Sequence, residues 1–386
     1  MSRIDDLIAE YCPDGVKHQT LGEIGEFIRG NGIQKRDFQD SGFGCIHYGQ
    51  IYTYYGLFAD HTKSFIDPNL AEKRKKAYKG DLVIATTSEN EEDVCKACAW
   101  LGEEPIAISG DAYIFRHHQN PKYISYCFQS ELFQSQKKKY ITGTKVLRVN
   151  GDAMAKIHVP VPPLPVQEEI VRILDSFSSL EAELEAELEA RRKQYTHYRD
   201  ELLKFERVLI ASLGELCKIS VGRKNGTAGE FGEYPYVNAG TSMSGFVNEW
   251  SEEGDCVTTP SRGQGGMGFV TYQASRFWCG PLCYVMRSKH SDVMIKYVYY
   301  YLCSHKADIL GLVHEGGTPA INKSELAGLR ILVPPFEEQQ RIVSILDRFD
   351  KLTNDLSSGL PAEIEARHKQ YEYYRDRLLS FDELAA

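Results

Sequence analysis

Three glycine-rich loops carry side chains of the kind that read base edges. They are Gly30-Asn31-Gly32, Gly222-Arg223-Lys224-Asn225-Gly226 and Ser261-Arg262-Gly263-Gln264-Gly265-Gly266. Arg can pair with guanine, and Asn or Gln with adenine, through edges exposed in the major groove. Two basic clusters suit phosphate contacts: Lys73-Arg74-Lys75-Lys76 with Lys79, and Lys137-Lys138-Lys139 with Lys145. Tyr48, Gln50, Tyr52, Thr87, Thr144, Asn238, Thr318 and Lys323 complete the candidate set. Taken singly, each loop also fits an ordinary turn, each charge run a solvated face, and the tyrosines half-buried strand positions.

Other chemistries lack their residues. No Gly-x-x-x-x-Gly-Lys-Ser/Thr phosphate loop occurs. Val333-Pro334-Pro335-Phe336 resembles the Asn/Asp-Pro-Pro-aromatic loop of amino methyltransferases, but valine cannot accept the hydrogen bond that chemistry requires. A proline-stiffened entry into a helix is the simpler reading. The histidines have no metal-ligand spacing. Cys95-x-x-Cys98 and Cys279-x-x-x-Cys283 could together build a zinc site, but they do not occupy matching places in the chain, so reduced, partly buried thiols are expected.

The elements that position these residues come twice. Pro162-Pro163-Leu164-Pro165-Val166-Gln167, continuing to Ile173-Leu174-Asp175-Ser176-Phe177, returns as Pro334-Pro335-Phe336-Glu337-Glu338-Gln339, continuing to Ile345-Leu346-Asp347-Arg348-Phe349, 172 residues later. Lys193-Gln194-Tyr195 with Tyr198-Arg199-Asp200 returns as Lys369-Gln370-Tyr371 with Tyr374-Arg375-Asp376. In the first copy Ile170, Phe177, Leu184, Tyr198 and Phe205 fall on one heptad position, interrupted by Arg191, and Leu174, Leu188, Tyr195 and Leu202 on its companion, interrupted by Glu181. That is a coiled-coil seam, with Ile342, Leu346, Phe349, Leu356, Tyr371, Tyr374 and Leu378 expected to supply the facing side. A helix from Pro165 to Phe205 would run about 60 Å. The second copy holds four extra residues near Ser357-Ser358-Gly359-Leu360-Pro361, and is expected to break at 359–361.

The long segments between these helices also echo each other: Leu21-Gly22-Glu23-Ile24 with Leu213-Gly214-Glu215-Leu216, and Gly80-Asp81-Leu82-Val83 with Gly254-Asp255-Cys256-Val257. Leu82–Ala85, Ala112–Phe115 and Leu282–Met286 read as buried strands, and Lys122–Phe133 and Lys296–Ile309 as helices. The expected plan is an extension (1–16), a mixed α/β domain (17–160), a helix (161–206), a second α/β domain (207–333) and a second helical segment (334–386). The net charge of −9 conceals a division. Segments 17–158 and 207–331 carry +2 and +1, whereas 167–206 and 334–386 carry −5 and −4. The run of glutamates from Glu181 to Glu189 would repel phosphate, so the helix suits a spacer or a protein-docking face. No apolar run reaches membrane-spanning length and the start lacks an apolar signal region, so a cytoplasmic setting is expected.

With its Pro-Pro-x₃-Gln segments followed by Ile-Leu-Asp, Leu360-Pro361-Ala362-Glu363 and Tyr-Arg-Asp-x-Leu-Leu ends, the chain resembles the specificity (S) subunit of type I restriction–modification enzymes over essentially its whole length. The resemblance implies an α/β (α+β) fold in which two target-recognition domains are separated by two long helices that pair as an antiparallel coiled coil. It further implies that each domain reads half of a bipartite, asymmetric DNA site, and that the helices set the unread spacer and dock two modification (M) subunits. Motor-nuclease (R) subunits would join that core. S-adenosylmethionine would belong to M, ATP and Mg²⁺ to R, and no cofactor or catalytic residue to this chain. The alternatives are a solitary DNA adenine methyltransferase or nuclease built on a recognition-domain fold, and a coiled-coil scaffold.

Overall fold

Each α/β domain begins with the same local chemistry. Thr20 and Ser212 accept a bond from the backbone N–H of Glu23 and Glu215, and each glutamate carboxylate accepts one in return from the backbone N–H of its cap. These are capping boxes, and they start one short helical turn at Leu21–Ile24 and another at Leu213–Leu216. The strand before each box, His18–Thr20 or Leu209–Ser212, pairs antiparallel with the strand that leads into the following long helix, His158–Pro160 or Arg330–Val333.

In the computed structural model residues 3–224, 228–355 and 357–384 are described. The chain divides into two units: Met1–Glu183 with Glu365–Ala386, and Leu184–Ile364.

The first unit holds a five-stranded sheet in the order Gly25–Arg29, Ala112–His117, Leu82–Ala85, Lys96–Trp100, Phe58–Ala59, and a four-stranded sheet in the order Ser64–Ile66, Phe43–Ile46, Ile106–Ile108, Lys76–Ala77. The second unit holds a four-stranded sheet in the order Cys217–Val221, Cys283–Ser288, Cys256–Pro260, Thr271–Gln273, and a three-stranded sheet in the order Phe246–Val247, Tyr234–Val237, Trp278–Cys279. The expected helix over Lys122–Phe133 is two helices, Pro121–Gln129 and Glu131–Lys137, because the Ser130 hydroxyl caps a new start by accepting from Phe133 N–H. Its counterpart likewise divides into Ile295–Ser304 and Lys306–Leu310.

The first repeated segment is one helix, Leu164–Leu202, whose residues to Glu183 lie in the first unit and from Leu184 in the second. The second repeated segment is two helices, Phe336–Asn354 in the second unit and Leu360–Leu378, which lies in the first from Glu365 onward. Proline explains the starts: Pro162 and Pro334 lend their carbonyls to Gln167 and Gln339 side chains at 2.7 and 2.9 Å. The Pro334-Pro335 turn is therefore a helix entry.

The residues that repeat in sequence are those that fasten helix to domain. Asp175 accepts from Lys122 Nζ at 2.6 Å and from the Tyr126 hydroxyl at 2.7 Å. Asp347 accepts from Lys296 Nζ at 2.8 Å and from the Tyr300 hydroxyl at 2.5 Å. The Gln167 and Gln339 carbonyls accept from Asn120 and Met294 N–H. Asp376 accepts from Glu131 N–H in the first unit, and Asp200 from Ser304 Oγ in the second.

Seam residues do double duty. Ile170, Leu174 and Tyr371 are buried in the core of the first unit, and Ile342 and Leu346 in that of the second. Phe177 stacks on Tyr374 at 5.4 Å, and the matching pair in the second unit, Phe349 and Tyr198, lies 5.7 Å apart. Tyr195 also meets Phe349, and His368 meets Glu181 at 2.7 Å. Leu184, Leu188, Leu202 and Leu378 are half-buried, and Tyr198 is 43% exposed. Leu356 lies outside the described residues. Val16 pairs with Glu383 as adjacent parallel strands do, its N–H donating to Asp382 O and its carbonyl accepting from Leu384 N–H. The ten cysteines are free thiols, nine of them buried. Among the described residues no helix is long and apolar enough to cross a membrane, and no three His, Cys, Asp or Glu side chains gather to hold a metal.

Candidate nucleic-acid interface

Backbone hydrogen bonds tie the candidate loops into one cluster per unit. In the first, Gly30 N–H donates to Ala112 O, Asn31 N–H to Ile108 O, Ser109 N–H to Ile46 O, Thr86 N–H to Asp111 O and Val149 N–H to Thr86 O. In the second, Gly222 N–H donates to Cys283 O, Arg223 N–H to Cys279 O, Gly280 N–H to Val237 O, Ser261 N–H to Leu282 O and Ile321 N–H to Ser261 O. The two sets correspond bond for bond. They match Asn31 with Arg223, His47 with Asn238, and Thr87 with Arg262. The frame is common to both units, and the side chains mounted on it differ.

The register exposes one slip in the sequence echo. Leu82 pairs with Phe115 and Val257 with Met286, and the neighbouring edge strand sets Phe27 opposite Phe115 and Ile219 opposite Met286. Leu82 therefore corresponds to Val257, one residue away from the Gly-Asp-x-Val match.

In the second unit the candidates converge. Arg223, Lys224, Arg262, Gln264 and Thr318 are exposed, and Ser261 is half-buried. Gly263 N–H donates to Pro319 O, and Arg262 bridges to Ala320, which sets the Thr318 loop against the Arg262 loop. Gly263, Gly265 and Gly268 hold φ of +138°, +85° and +75°, a region that favours glycine. Asn238 braces this frame, its Oδ1 accepting from Leu282 N–H at 2.9 Å. Lys323 is exposed at the start of the helix Lys323–Ala327. Asn225 lies outside the described residues.

In the first unit Lys73 and Lys75 are exposed on a loop clamped by Asn31, whose amide donates to Lys73 O and whose Oδ1 accepts from Lys75 N–H at 2.8 Å. Arg74 is half-buried and packs over Gly32, where a Cβ would lie 2.9 Å from a guanidinium nitrogen. Lys76 lies over the Phe43 ring at 5.4 Å, and Lys79 pairs with Glu103. Lys138, Lys139, Thr144 and Lys145 are exposed. Thr87 pairs with Arg148 across two short strands, and Tyr48 N–H donates to Ser109 Oγ.

Four sequence readings are corrected, because the polar end of the side chain is spent inside the domain. Lys137 is 1% exposed, and its ammonium donates to the Glu91, Glu92 and Val94 carbonyls, so it cannot meet phosphate. Gln50 accepts from His47 N–H and donates to Ser64 Oγ. Tyr52 donates to Thr87 O at 2.7 Å, and burial raises its hydroxyl pKa. Asn31 is the loop clamp just described. Conversely, Arg29 and Arg148 join the first cluster unforeseen: Arg29 Nε donates to Gly110 O, and Arg148 is exposed beside Thr87. Only the sheet register reveals them, since neither sits in a basic run.

A family model described as the type I restriction modification DNA specificity domain matches this chain twice, over residues 13–190 and 208–366. The chain is 35% identical over 273 residues to a type I restriction enzyme specificity subunit of Escherichia coli, a match covering 60% of this chain and 65% of that subunit. It is 33% identical over 244 residues to a putative type I specificity subunit of Mycoplasma pneumoniae, covering 59% of this chain and 94% of that protein. In fold it is similar to the S subunit of a type I restriction–modification system from M. genitalium, with a TM-score of 0.59 at 14% identity over 94% of this chain and 96% of that one. A chain from a structure concerned with complex assembly and conformational transition of the type I R-M system gives a TM-score of 0.59 at 17% identity, covering 95% and 98%.

Proposed function

The chain belongs to the type I restriction–modification DNA specificity family, and from that premise we propose that its two domains each read one half of a bipartite, asymmetric DNA site. The observation that carries this reading is the pair of loop clusters built on matching backbone bonds but bearing unlike side chains. Arg262 stands where the first unit has Thr87, and Arg223 where it has Asn31. An arginine facing guanine and a threonine in its place read different bases, so the two half-sites differ. Exposed Lys73, Lys75, Lys138, Lys139 and Lys145 supply sequence-independent attraction to phosphate in the first domain.

The helices set the unread spacer and dock two modification subunits, with motor-nuclease subunits completing the complex. The modification subunits supply S-adenosylmethionine-dependent adenine methylation, and the motor-nuclease subunits ATP- and Mg²⁺-dependent cleavage. The glutamates from Glu181 to Glu189 keep the helix off the DNA backbone. Co-expression with a modification subunit, followed by methylation mapping, tests the reading. Two unlike half-motifs separated by a fixed spacer are expected, and a palindromic motif would contradict it. One further Leu-Glu-Ala-Glu after Glu187 lengthens the helix by about 6 Å and should lengthen the spacer while leaving both half-motifs unchanged.

A further inference from the structure

We propose that the second domain holds a pocket for a single nucleobase drawn out of the duplex stack. The inference rests on the reading of the loop clusters as DNA-facing.

The same sheet face is built in opposite ways in the two units. In the first, Val83 pairs with Cys98 and Ile114, and Ala85 with Ala112. In the second, Thr258 pairs with Thr271 and Val285, and Pro260 with Cys283. By this register Val83, Cys98 and Trp100 correspond to Thr258, Thr271 and Gln273. The face of the first unit is apolar and sealed: the chain leaves the strand Phe43–Ile46 into the helix Tyr48–Thr53, whose Ile51 is buried with Val83, Ala85, Cys98 and Trp100. In the second unit the chain leaves the matching strand, Tyr234–Val237, into a loop with no helix before Phe246. Beneath that loop lies a cavity of about 200 Å³, floored by Thr258, Thr271 and Gln273.

An apolar floor left open would cost stability, whereas hydroxyl and amide groups tolerate water and can wait for a ligand. Gln273 Nε2 donates to Thr258 Oγ1 at 3.1 Å, which leaves its carbonyl oxygen as an acceptor. Asn238 Oδ1 is held by Leu282 N–H, which leaves its amide N–H₂ as a donor. A donor and an acceptor among the lining residues complement the hydrogen-bonding edge of a base, and Phe269 and Met243, also lining the cavity, suit its flat face. The volume of about 200 Å³ falls below the about 300–1,000 Å³ of sites for drug-sized ligands, which suits a single base. Asn238 also belongs to the loop cluster that carries Arg262, so the mouth lies beside the loops that read the second half-site.

The test uses the chain in complex with its modification subunit and duplexes carrying 2-aminopurine at successive positions of the second half-site. Fluorescence should rise several-fold at one position other than the methylated adenine. Gln273→Leu, which removes the acceptor, and Ser242→Trp, which fills the cavity from an exposed loop position, should each abolish that rise without changing the motif of the first half-site. Specific binding with every such position still quenched overturns the pocket and leaves the reading domain intact, as does a signal that survives both variants. Failure of the complex to discriminate the second half-site at all overturns the reading, and the pocket with it.

Discussion

Asp175 offers a measurement of how firmly a helix is fastened to its domain. Its carboxylate accepts from Lys122 Nζ at 2.6 Å and Tyr126 OH at 2.7 Å, with the two charged side chains 25% and 31% accessible and Tyr126 fully buried. Asp175→Ala removes one charge-assisted bond, worth about 1.5–3 kcal/mol, and strands a buried phenol at about 1–3 kcal/mol. Lys122 keeps only the face of the Phe58 ring, at 4.0 Å. Because Lys122 regains water, the sum falls toward the lower end, about 3 kcal/mol. Asp175→Asn keeps an acceptor for the phenol and loses the charge, so about 1–2 kcal/mol is expected. Urea unfolding followed through Trp100, the tryptophan of this unit, reports the change. With a slope of about 3 kcal/mol/M the alanine variant should lower the midpoint by about 1 M. Tyr126→Phe should cost about 1 kcal/mol in the native background and close to nothing beside Asp175→Ala. A midpoint shift equivalent to less than about 0.5 kcal/mol, or the same phenol cost in both backgrounds, would refute the latch. Asp347→Ala should reproduce the pattern in the second unit, read through Trp250 and Trp278.

Lys137 and its neighbours should separate cleanly: Lys137→Met leaves three carbonyls without their donor and costs about 2–4 kcal/mol, whereas Lys138→Ala with Lys139→Ala preserves stability and reduces the salt slope of DNA binding by about 0.9 for each phosphate no longer neutralised. Arg262→Ala should leave the unfolding curve in place and relax the second half-site by about 1–3 kcal/mol, with methylation mapping showing the first half-motif unchanged. His117 is buried, its Nδ1 accepting from Gln119 N–H, and burial lowers its pKa from 6.5 to about 4. The unfolded chain therefore binds the extra proton first, and stability falls as pH drops from about 6.5 to about 4, by up to about 3 kcal/mol. Urea midpoints across that window should flatten in His117→Gln.

The helices were legible because each residue that fastens them has a chemical signature and occurs twice. Asp175 and Asp347, Gln167 and Gln339, and the Tyr-Arg-Asp ends all announced themselves as a repeat, and each holds a specific bond. The loop clusters were less legible, since their common feature is backbone bonding, which leaves no trace in side-chain identity. Hence the Gly-Asp-x-Val echo matched at a register the sheets do not use. Lys137 looked like its neighbours because a run of lysines does not reveal which ammonium points inward. Its place at the end of Glu131–Lys137, above the turn formed by Glu91 to Val94, decides that. Asn31 and Gln50 misled in the same way, their amides being used to brace loops.

The contrast between latch and loop shows how such a chain can change what it reads. A residue such as Asp175 cannot vary without stranding a buried phenol and breaking an ion pair, so both copies keep the same chemistry. Arg262 and Gln264 are exposed on a loop held by backbone bonds and glycines at positive φ, so their identity contributes little to folding. Under the proposed reading, substitution there should alter base recognition at almost no cost in stability, whereas substitution of Gly263 strains the loop whatever side chain it gains. The two units show the outcome within one polypeptide: the same frame carries Thr87 in one and Arg262 in the other, and seals one sheet face with a helix while leaving Thr258, Thr271 and Gln273 of its counterpart lining a cavity.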